Sequence, residues 1–294
     1  MLTLVRILAR WPLWLLHALG ALLGWVGYAA SPGYRRRLRE NSTLAGLSAG
    51  QRRAAVAQAG KLVSELPRLW LRARDAPMAD PVAWEGAELM QAWLERGRGR
   101  EHGRGLVLLT PHMGSFEVAA QGYAQRFGSQ QPMTVLYRPA RQRWLRELEE
   151  TARARTHLAT APATLAGVRQ MLRALKQGQT VGLLPDQVPP QGLGVWAPFF
   201  GKSAYTMTLA ARLVQQTGAQ VGILWCERLS AGRGYMLHVR ELAQPLPESP
   251  DAGGAAQALQ RGAEVMNANM QAVVAECPEQ YLWGYHRYKA PRQT

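Results

Sequence analysis

The sequence contains few cysteines and few histidines. These scarcities argue against a disulfide framework and against a metal site. The two cysteines, Cys226 and Cys277, form no C-x-x-C pair and are too few for a disulfide framework, which predicts reduced thiols in a cytosol-facing protein. The six histidines are scattered, and no two have the spacing that places two imidazoles on one helical face. We therefore predict no metal site.

Acidic residues are also scarce. The chain has 20 Asp and Glu against 35 Lys and Arg, which gives a formal net charge of +15. Such an excess attracts polyanions, and three partners fit it: nucleic acid, an anionic membrane surface and an acidic carrier protein. Composition alone does not choose among them. The 294 residues suffice for one sizeable α/β domain with a short appendage.

One long uncharged run is present near the N-terminus. Residues 11–30, WPLWLLHALGALLGWVGYAA, contain no formal charge and would span about 30 Å as a helix. Aromatic residues lie toward both of its ends, and the arginine-rich segment YRRRLRE follows it. The pattern favours a membrane anchor at residues 1–31, spanning or half-inserted, over a cleaved signal peptide or an interfacial amphipathic helix. Residues 32–294 would then form a domain at the cytoplasmic face.

Short apolar runs alternate with helical patterns over the rest of the chain. Strands are predicted near 105–110, 132–137, 180–184 and 220–227, and helices near 115–128, 141–155, 164–177, 205–217 and 255–276. This alternation predicts an α/β fold with a largely parallel sheet flanked by helices.

Local signals predict some helix boundaries. A helix begins at Ser48, where Gln51 completes a capping box, and Pro67 is expected to bend or break it. The helix at 164–177 shows one apolar stripe and a glycine stop. The stripe consists of Leu165, Val168, Leu172 and Leu175, and the stop is Gly178.

The segment VLLTPHMGSFE places an imidazole and a carboxylate where a strand turns into a helix. His112 follows the strand at 105–110, at the sheet edge where open α/β proteins bind ligands. Ser115 is expected to cap the next helix, with Glu117 in its first turn. Because His112 lies outside that helix, the loop can curl so that Glu117 meets the ring. The pair predicts a general base in which Glu117 fixes the tautomer while His112 accepts a proton.

Asp186 stands at the end of the strand at 180–184, as His112 does at its own strand end. It is either a site residue or a helix cap or turn former. The loop that follows is rich in Gly, Pro and aromatic residues, which is typical of a loop that forms a site.

Segments in order along nearly the whole chain resemble the bacterial lipid A late acyltransferases of the lysophospholipid acyltransferase superfamily. The similar segments are SPGYRRRLREN, TPHMGSFE, VLYRPAR, ALKQGQTVGLLPDQ, GVWAPFFG, ARLVQQTGAQV and PEQYLWGYHRYK. The resemblance implies an enzyme at the cytoplasmic face of the bacterial inner membrane. Such an enzyme moves a fatty acyl chain from acyl carrier protein to a hydroxyl of a lipid A precursor. No cofactor, covalent enzyme intermediate or nucleic acid partner is expected.

The resemblance also implies roles for single residues. His112 and Glu117 match the catalytic H-x4-D/E pair of the family, and Asp186 matches the acid of its DQ motif. The candidate substrate-binding residues are Arg155, Asp186, Arg153, Arg138 and Ser115, with Arg155 at the position of a functional arginine. The chain has Ser115-Phe116 where relatives often have Asn-Trp, and this leaves the acceptor and the acyl length open.

Other residues have two interpretations each. The arginines between 141 and 155 either steer an acidic carrier protein or form a solvated face, and they are Arg141, Arg143, Arg146, Arg153 and Arg155. The aromatic residues Trp196, Phe199 and Phe200 either line an acyl slot or pack in the core.

Alternative functions stay open at this point. A lysophospholipid and an ornithine lipid are alternative acceptors, and a membrane-tethered basic binding protein would explain the charge but not the His112 loop. The segment GLSAG formally matches a serine-hydrolase elbow, but no strand precedes it, so Ser48 is better explained as a helix cap.

Overall fold

Strands and helices alternate along the chain, which a computed structural model describes at residues 2–98, 104–137, 155–247 and 254–292. The strands are β1 (Val82–Glu85), β2 (Leu106–Leu109), β3 (Met133–Tyr137), β4 (Leu158–Pro162), β5 (Thr180–Leu183), β6 (Gly194–Phe199), β7 (Lys202–Met207), β8 (Gln220–Arg228) and β9 (Tyr235–Arg240). The helices are α1 (Leu2–Leu8), α2 (Leu13–Ala30), α3 (Pro32–Leu44), α4 (Ala49–Trp70), α5 (Ala87–Arg98), α6 (Phe116–Phe127), α7 (Leu165–Lys176), α8 (Leu209–Thr217) and α9 (Ala255–Glu276).

Seven of these strands form one sheet in the order β1-β9-β8-β2-β5-β3-β4. The strands from β8 to β4 pair in parallel, whereas β9 runs antiparallel to β8 and pairs in parallel with β1. β6 and β7 form a separate antiparallel hairpin. The predicted fold class, a largely parallel sheet flanked by helices, is confirmed.

Successive residues of the central strands face opposite sides of the sheet, and this divides the core in two. Val107 and Leu109 of β2 belong to a cluster that includes residues of α7, α8 and α9. Leu106 and Leu108 belong to a second cluster that includes residues of α5 and α6. All four side chains are at most 1% exposed. A strand covered on both faces has no polar face, which is why β2 appears in the sequence as a continuous apolar run.

Predicted boundaries near Ser48 and Gly178 agree with the structure. The Gln51 N–H donates to the Ser48 hydroxyl at 3.2 Å, and the Ser48 N–H donates to Gln51 Oε1 at 2.9 Å. Ser48 of GLSAG is therefore a helix cap. α7 ends at Lys176, two residues before Gly178, whose φ of 73° suits glycine.

Several details of the helices were predicted wrongly. Pro67 does not break α4, which continues to Trp70, and a bend at Pro67 stays a prediction. The helix predicted at 205–217 begins at Leu209, because residues 202–207 pair with β6. Leu165 is 67% exposed, since it lies two residues, or about 200° around the helix, from buried Gly167. The helix predicted at 141–155 lies almost entirely outside the described residues.

α2 coincides with most of the predicted anchor and packs lengthwise against α4. The two helices approach to backbone contact, because a Cβ on Gly60 would lie 1.9 Å from the Gly20 carbonyl oxygen. The opposite face of α2 is apolar and exposed, with Leu22 at 62% and Val26 at 54%. By length and composition, α2 is apolar enough to cross a membrane. One of its faces is nevertheless occupied by the α/β domain.

Candidate active site

His112 lies in the turn between β2 and α6, at the carboxyl end of the central strands. Thr110, the residue that follows β2, forms hydrogen bonds to both neighbouring strands. Its N–H donates to the Leu183 carbonyl at 2.9 Å, and its hydroxyl donates to the Leu224 carbonyl at 2.7 Å. The turn therefore starts from a fixed point, beside the segment that follows β5.

Gly114 lets this turn pass close to β8. Its φ of 56° is a conformation that L side chains rarely adopt, and a Cβ would lie 1.7 Å from the Cys226 carbonyl oxygen. The next residue, Ser115, donates its N–H to that same carbonyl at 2.9 Å. On the other side, the His112 carbonyl accepts from the Leu282 N–H at 3.1 Å. The loop is thus held between β8 and the C-terminal segment.

Asp186 makes two hydrogen bonds to His112. Its Oδ2 accepts from the His112 backbone N–H at 2.8 Å, and its Oδ1 lies 2.6 Å from the ring Nδ1. The contact follows from the topology, because β2 and β5 are neighbours with Leu109 opposite Leu183, so the residues after both strands meet. One carboxylate therefore fixes both the main chain and the imidazole of His112.

The surroundings of Asp186 favour its ionised form. Burial alone would raise the pKa of this carboxyl, but the hydrogen bonds and charge of His112, with the Arg287 guanidinium, outweigh it and lower the pKa. Arg287 is itself buried and donates to the Tyr205 carbonyl and the Thr206 hydroxyl, both at 2.7 Å. Burial, together with the charge of Asp186, raises the pKa of Tyr281. His112 and Arg287 therefore favour the ionised form of Asp186.

This arrangement decides which nitrogen of a neutral His112 can act as a base. An ionised carboxylate only accepts hydrogen bonds, so Nδ1 must carry the ring proton and Nε2 keeps its lone pair. The His112 side chain is 17% exposed whereas that of Asp186 is 2% exposed. The ring is thus the part of the pair that a substrate can reach, and it can accept a proton there. α6 begins at Phe116, whose ring centroid lies 5.2 Å from that of His112.

A pair of this kind occurs in more than one class of enzyme, and comparison with known proteins narrows the choice. The model of the family described as bacterial lipid A biosynthesis acyltransferase matches residues 1–290. The chain belongs to this family. The predicted resemblance is thereby confirmed.

Relatives of this lipid A acyltransferase family member agree with the match. The lipid A biosynthesis lauroyltransferase of Escherichia coli (strain K12) is 28% identical over 193 residues, which are 63% of this chain and 56% of the relative. The lipid A biosynthesis palmitoleoyltransferase of the same organism is 25% identical over 193 residues, which are 65% of this chain and 58% of the relative. A lipid A biosynthesis acyltransferase of Shigella flexneri shows the same identity and coverage. The chain spans less than two thirds of the length of these curated relatives.

Glu117 lies in the first turn of α6, as predicted, and is 8% exposed. His112 Nδ1 is bound by Asp186, and the contact between Glu117 and the ring stays a prediction. Ser115 occupies the N-cap position, as predicted, but within the described residues its side chain makes no capping hydrogen bond. Its hydroxyl is fully buried near the Glu65 carboxylate, which favours a supporting position over substrate contact.

Arg155, a predicted substrate-binding residue, is buried against the end of α4. Its guanidinium donates to the carbonyls of Arg72 and Ala73 at 2.8 Å and of Leu69 at 3.0 Å, which ties Arg155 to the end of α4 and the turn after it. Burial lowers the pKa of Arg155. This side chain stabilises the fold, whatever else it binds. Arg138, Arg153, Arg141, Arg143 and Arg146 lie outside the described residues.

The aromatic residues proposed for an acyl slot differ in position. Phe199 is 1% exposed and packs with Phe200 at 4.8 Å between ring centroids. Phe199 also lies 6.3 Å from the ring of Tyr281, beside Asp186. Core packing thus accounts for Phe199, whereas Trp196 is 46% exposed.

Sequence reasoning placed His112 and Asp186 at strand ends but did not pair them. Strand order is the missing information, because residues 74 positions apart meet only if β2 and β5 are neighbours. Arg287 was not predicted as a site residue, although it lies in the segment PEQYLWGYHRYK. Within the described ranges, no three His, Cys, Asp or Glu side chains converge as ligands for a metal ion.

Proposed function

We propose that this protein transfers a fatty acyl chain from acyl carrier protein to a hydroxyl of a lipid A precursor, with His112 as the general base. His112 Nε2 takes the proton of the acceptor hydroxyl as its oxygen attacks the thioester carbonyl carbon. A C–O bond forms and the C–S bond breaks. The thiolate leaves and receives the proton from the imidazolium, so no covalent enzyme intermediate is needed.

The pairing of His112 Nδ1 with Asp186 Oδ1 at 2.6 Å is the observation that carries the proposal. It gives the ring the tautomer and orientation of a base, and the ionised carboxylate stabilises the imidazolium that forms. Glu117 is a second carboxylate near His112, because it follows Phe116, whose ring packs 5.2 Å from that of His112. The positive end of the α6 dipole favours the developing oxyanion.

The net charge supports acyl carrier protein as the acyl donor. Acyl carrier protein is strongly acidic, and a chain of net charge +15 attracts it over long range at low salt. The family to which the chain belongs supports a lipid A precursor as the acceptor.

The apolar helix α2 supports attachment to a membrane. Its exposed face presents apolar side chains, and Trp25 and Tyr28 share a cleft with the basic residues Arg39, Arg52 and Arg53. Aromatic rings and arginines side by side suit the interface of an anionic bilayer. We place this surface against the cytoplasmic leaflet of the bacterial inner membrane.

Purified protein in detergent, supplied with acyl carrier protein loaded with chains of different length, tests the proposal. The acceptors are a lipid A precursor, a lysophospholipid and an ornithine lipid, and mass spectrometry identifies the product. We expect one acyl mass to be added to the lipid A precursor. His112→Ala should abolish this product, whereas His286→Ala, a change at an exposed histidine, should not.

Each outcome has one meaning. Turnover by His112→Ala at the wild-type rate would contradict the general base. Transfer only to the lysophospholipid or ornithine lipid would contradict the acceptor. Transfer from a small acyl thioester that equals transfer from acyl carrier protein, with the same salt dependence, would contradict the donor.

A further inference from the structure

A chain of buried charged groups lies behind the His112 loop. Glu65 of α4 is 0% exposed, Arg228 of β8 is 3% exposed and His17 of α2 is 5% exposed. Arg228 Nε donates to Glu65 Oε1 at 3.1 Å, and His17 Nε2 lies 3.1 Å from Glu65 Oε2. The Tyr235 hydroxyl of β9 donates to the same carboxylate at 3.3 Å. One carboxylate thus joins four elements of the fold.

These buried groups reach the active-site loop. Arg228 Nη2 donates to the Gly114 carbonyl, two residues from His112. The Gly114 N–H donates to the Gln280 carbonyl at 3.0 Å, and the Gln280 side chain accepts from the Arg228 N–H at 2.9 Å. Both polar main-chain groups of Gly114 are therefore held by Arg228 and its partner Gln280.

Stability alone does not explain these groups. Burial would raise the pKa of Glu65, but the charge of Arg228, with the hydrogen bond and charge of His17, outweighs it and lowers the pKa. A buried ion pair costs desolvation free energy and is often no more stabilising than apolar packing of the same volume. What an ion pair adds is a directional bond at a defined place, and here that place is Gly114.

We propose that His17, Glu65 and Arg228 are positioning residues that set the loop at residues 112–115, and that the docking of α2 on α4 is thereby part of the active site. This proposal rests on the proposed function of His112. The membrane-facing helix then both attaches the protein and orients its base. Losing the His17 contact relaxes Glu65 and Arg228, and with them the Gly114 carbonyl and the His112 ring.

Paired variants of α2 and α4 contacts test the proposal. His17→Ala removes the contact to Glu65. Ser64→Ala removes a neighbouring contact between the same two helices, in which the Ser64 hydroxyl donates to the Leu16 carbonyl at 2.7 Å. We expect His17→Ala to lower kcat about tenfold with KM within twofold, as a slightly misplaced base does. Ser64→Ala should leave kcat unchanged. His17→Gln, whose amide N–H can donate to Glu65, should restore most of the activity.

Hydrogen exchange provides a readout that needs no activity. Amides in the peptide covering residues 111–116 should exchange faster in His17→Ala than in the wild type, and should be unchanged in Ser64→Ala. If His17→Ala does not fold, Tyr235→Phe replaces it, because that variant loses only the hydroxyl that donates to Glu65 and should show the same pattern at lower amplitude.

Equal effects of His17→Ala and Ser64→Ala on kcat and on exchange would overturn the proposal, as would wild-type values for both. Failure of the proposed function looks different. In that case His112→Ala keeps its turnover, while the exchange of the loop still reports whether His17 positions it.

Discussion

The protein contains two buried centres of the same composition. In the first, the Asp186 carboxylate is bound by His112 and lies in the field of Arg287; in the second, Glu65 is bound by His17 and Arg228. Both carboxyls have a lowered pKa for the same reason, since a histidine and an arginine outweigh the effect of burial. A carboxylate paired with an imidazole is therefore no mark of catalysis in itself.

The two centres differ in the histidine. The His112 side chain is 17% exposed, whereas that of His17 is 6% exposed and lies between α2 and α4. In the first centre one ring nitrogen is bound to the carboxylate, and the ring is partly exposed, so a substrate can reach it. In the second the ring is enclosed, and its bond to Glu65 is a support. Accessibility of the ring thus separates a candidate base from a structural pair.

The largest effect is expected at the accessible histidine. His112→Gln should lower kcat on the order of 10³-fold, within the range that general acid–base catalysis contributes, because an amide cannot accept the acceptor's proton. Its free energy of unfolding should change little. Steady-state kinetics and urea denaturation measure the two effects, and a stability loss as large as the activity loss would make His112 another structural pair.

In the enclosed centre, unlike at His112, the largest change should be in stability. Glu65→Gln leaves the buried Arg228 charge without its counterion and should lower the free energy of unfolding by about 3 kcal/mol, as the loss of one partner of a buried pair typically does. Urea denaturation followed by circular dichroism checks this value. Unchanged stability would mean that Gln58, Gln280 and the Gly114 carbonyl suffice for Arg228.

Asp186 should affect activity more than its burial suggests. In Asp186→Asn the amide can donate to Nδ1, so the ring proton moves to Nε2 and the base is lost. We expect kcat to fall about 10²-fold, the lower end of the range for such catalysis, with substrate KM nearly unchanged. Glu117→Gln is the matched comparison, because it tests the carboxylate that the sequence pairs with His112. A larger loss in Glu117→Gln than in Asp186→Asn would assign the orienting role to Glu117.

The smallest effect is on stability in acid. The pKa of Asp186 is lower in the folded than in the unfolded protein, so its ionised form contributes stability in full above an ordinary carboxyl pKa of about 4. That contribution is lost as the pH falls through the folded-state pKa. The difference in unfolding free energy between wild type and Asp186→Asn should therefore shrink as the pH falls below about pH 4. A difference independent of pH down to pH 3 would contradict the ionised state of Asp186.

Much of the fold was predictable because its signals are local. The apolar runs of β2, β3, β5 and β8 and the capping box at Ser48 depend on neighbours in sequence, and they were found near their true bounds. The hairpin β6–β7 was missed because its Gly, Pro and aromatic composition is that of a loop. Strands β1, β4 and β9 were also missed.

The sequence by itself determined the α/β class, the apolar N-terminal helix, the family and the place of His112 at a strand end. Each of these depends on residue type, on short-range periodicity or on motifs in order along the chain. Only the tertiary structure decided that Asp186 binds the ring nitrogen and that His17 lies enclosed against Glu65. Those contacts join residues 74 and 48 positions apart, and strand order and helix packing, which no local pattern encodes, bring them together.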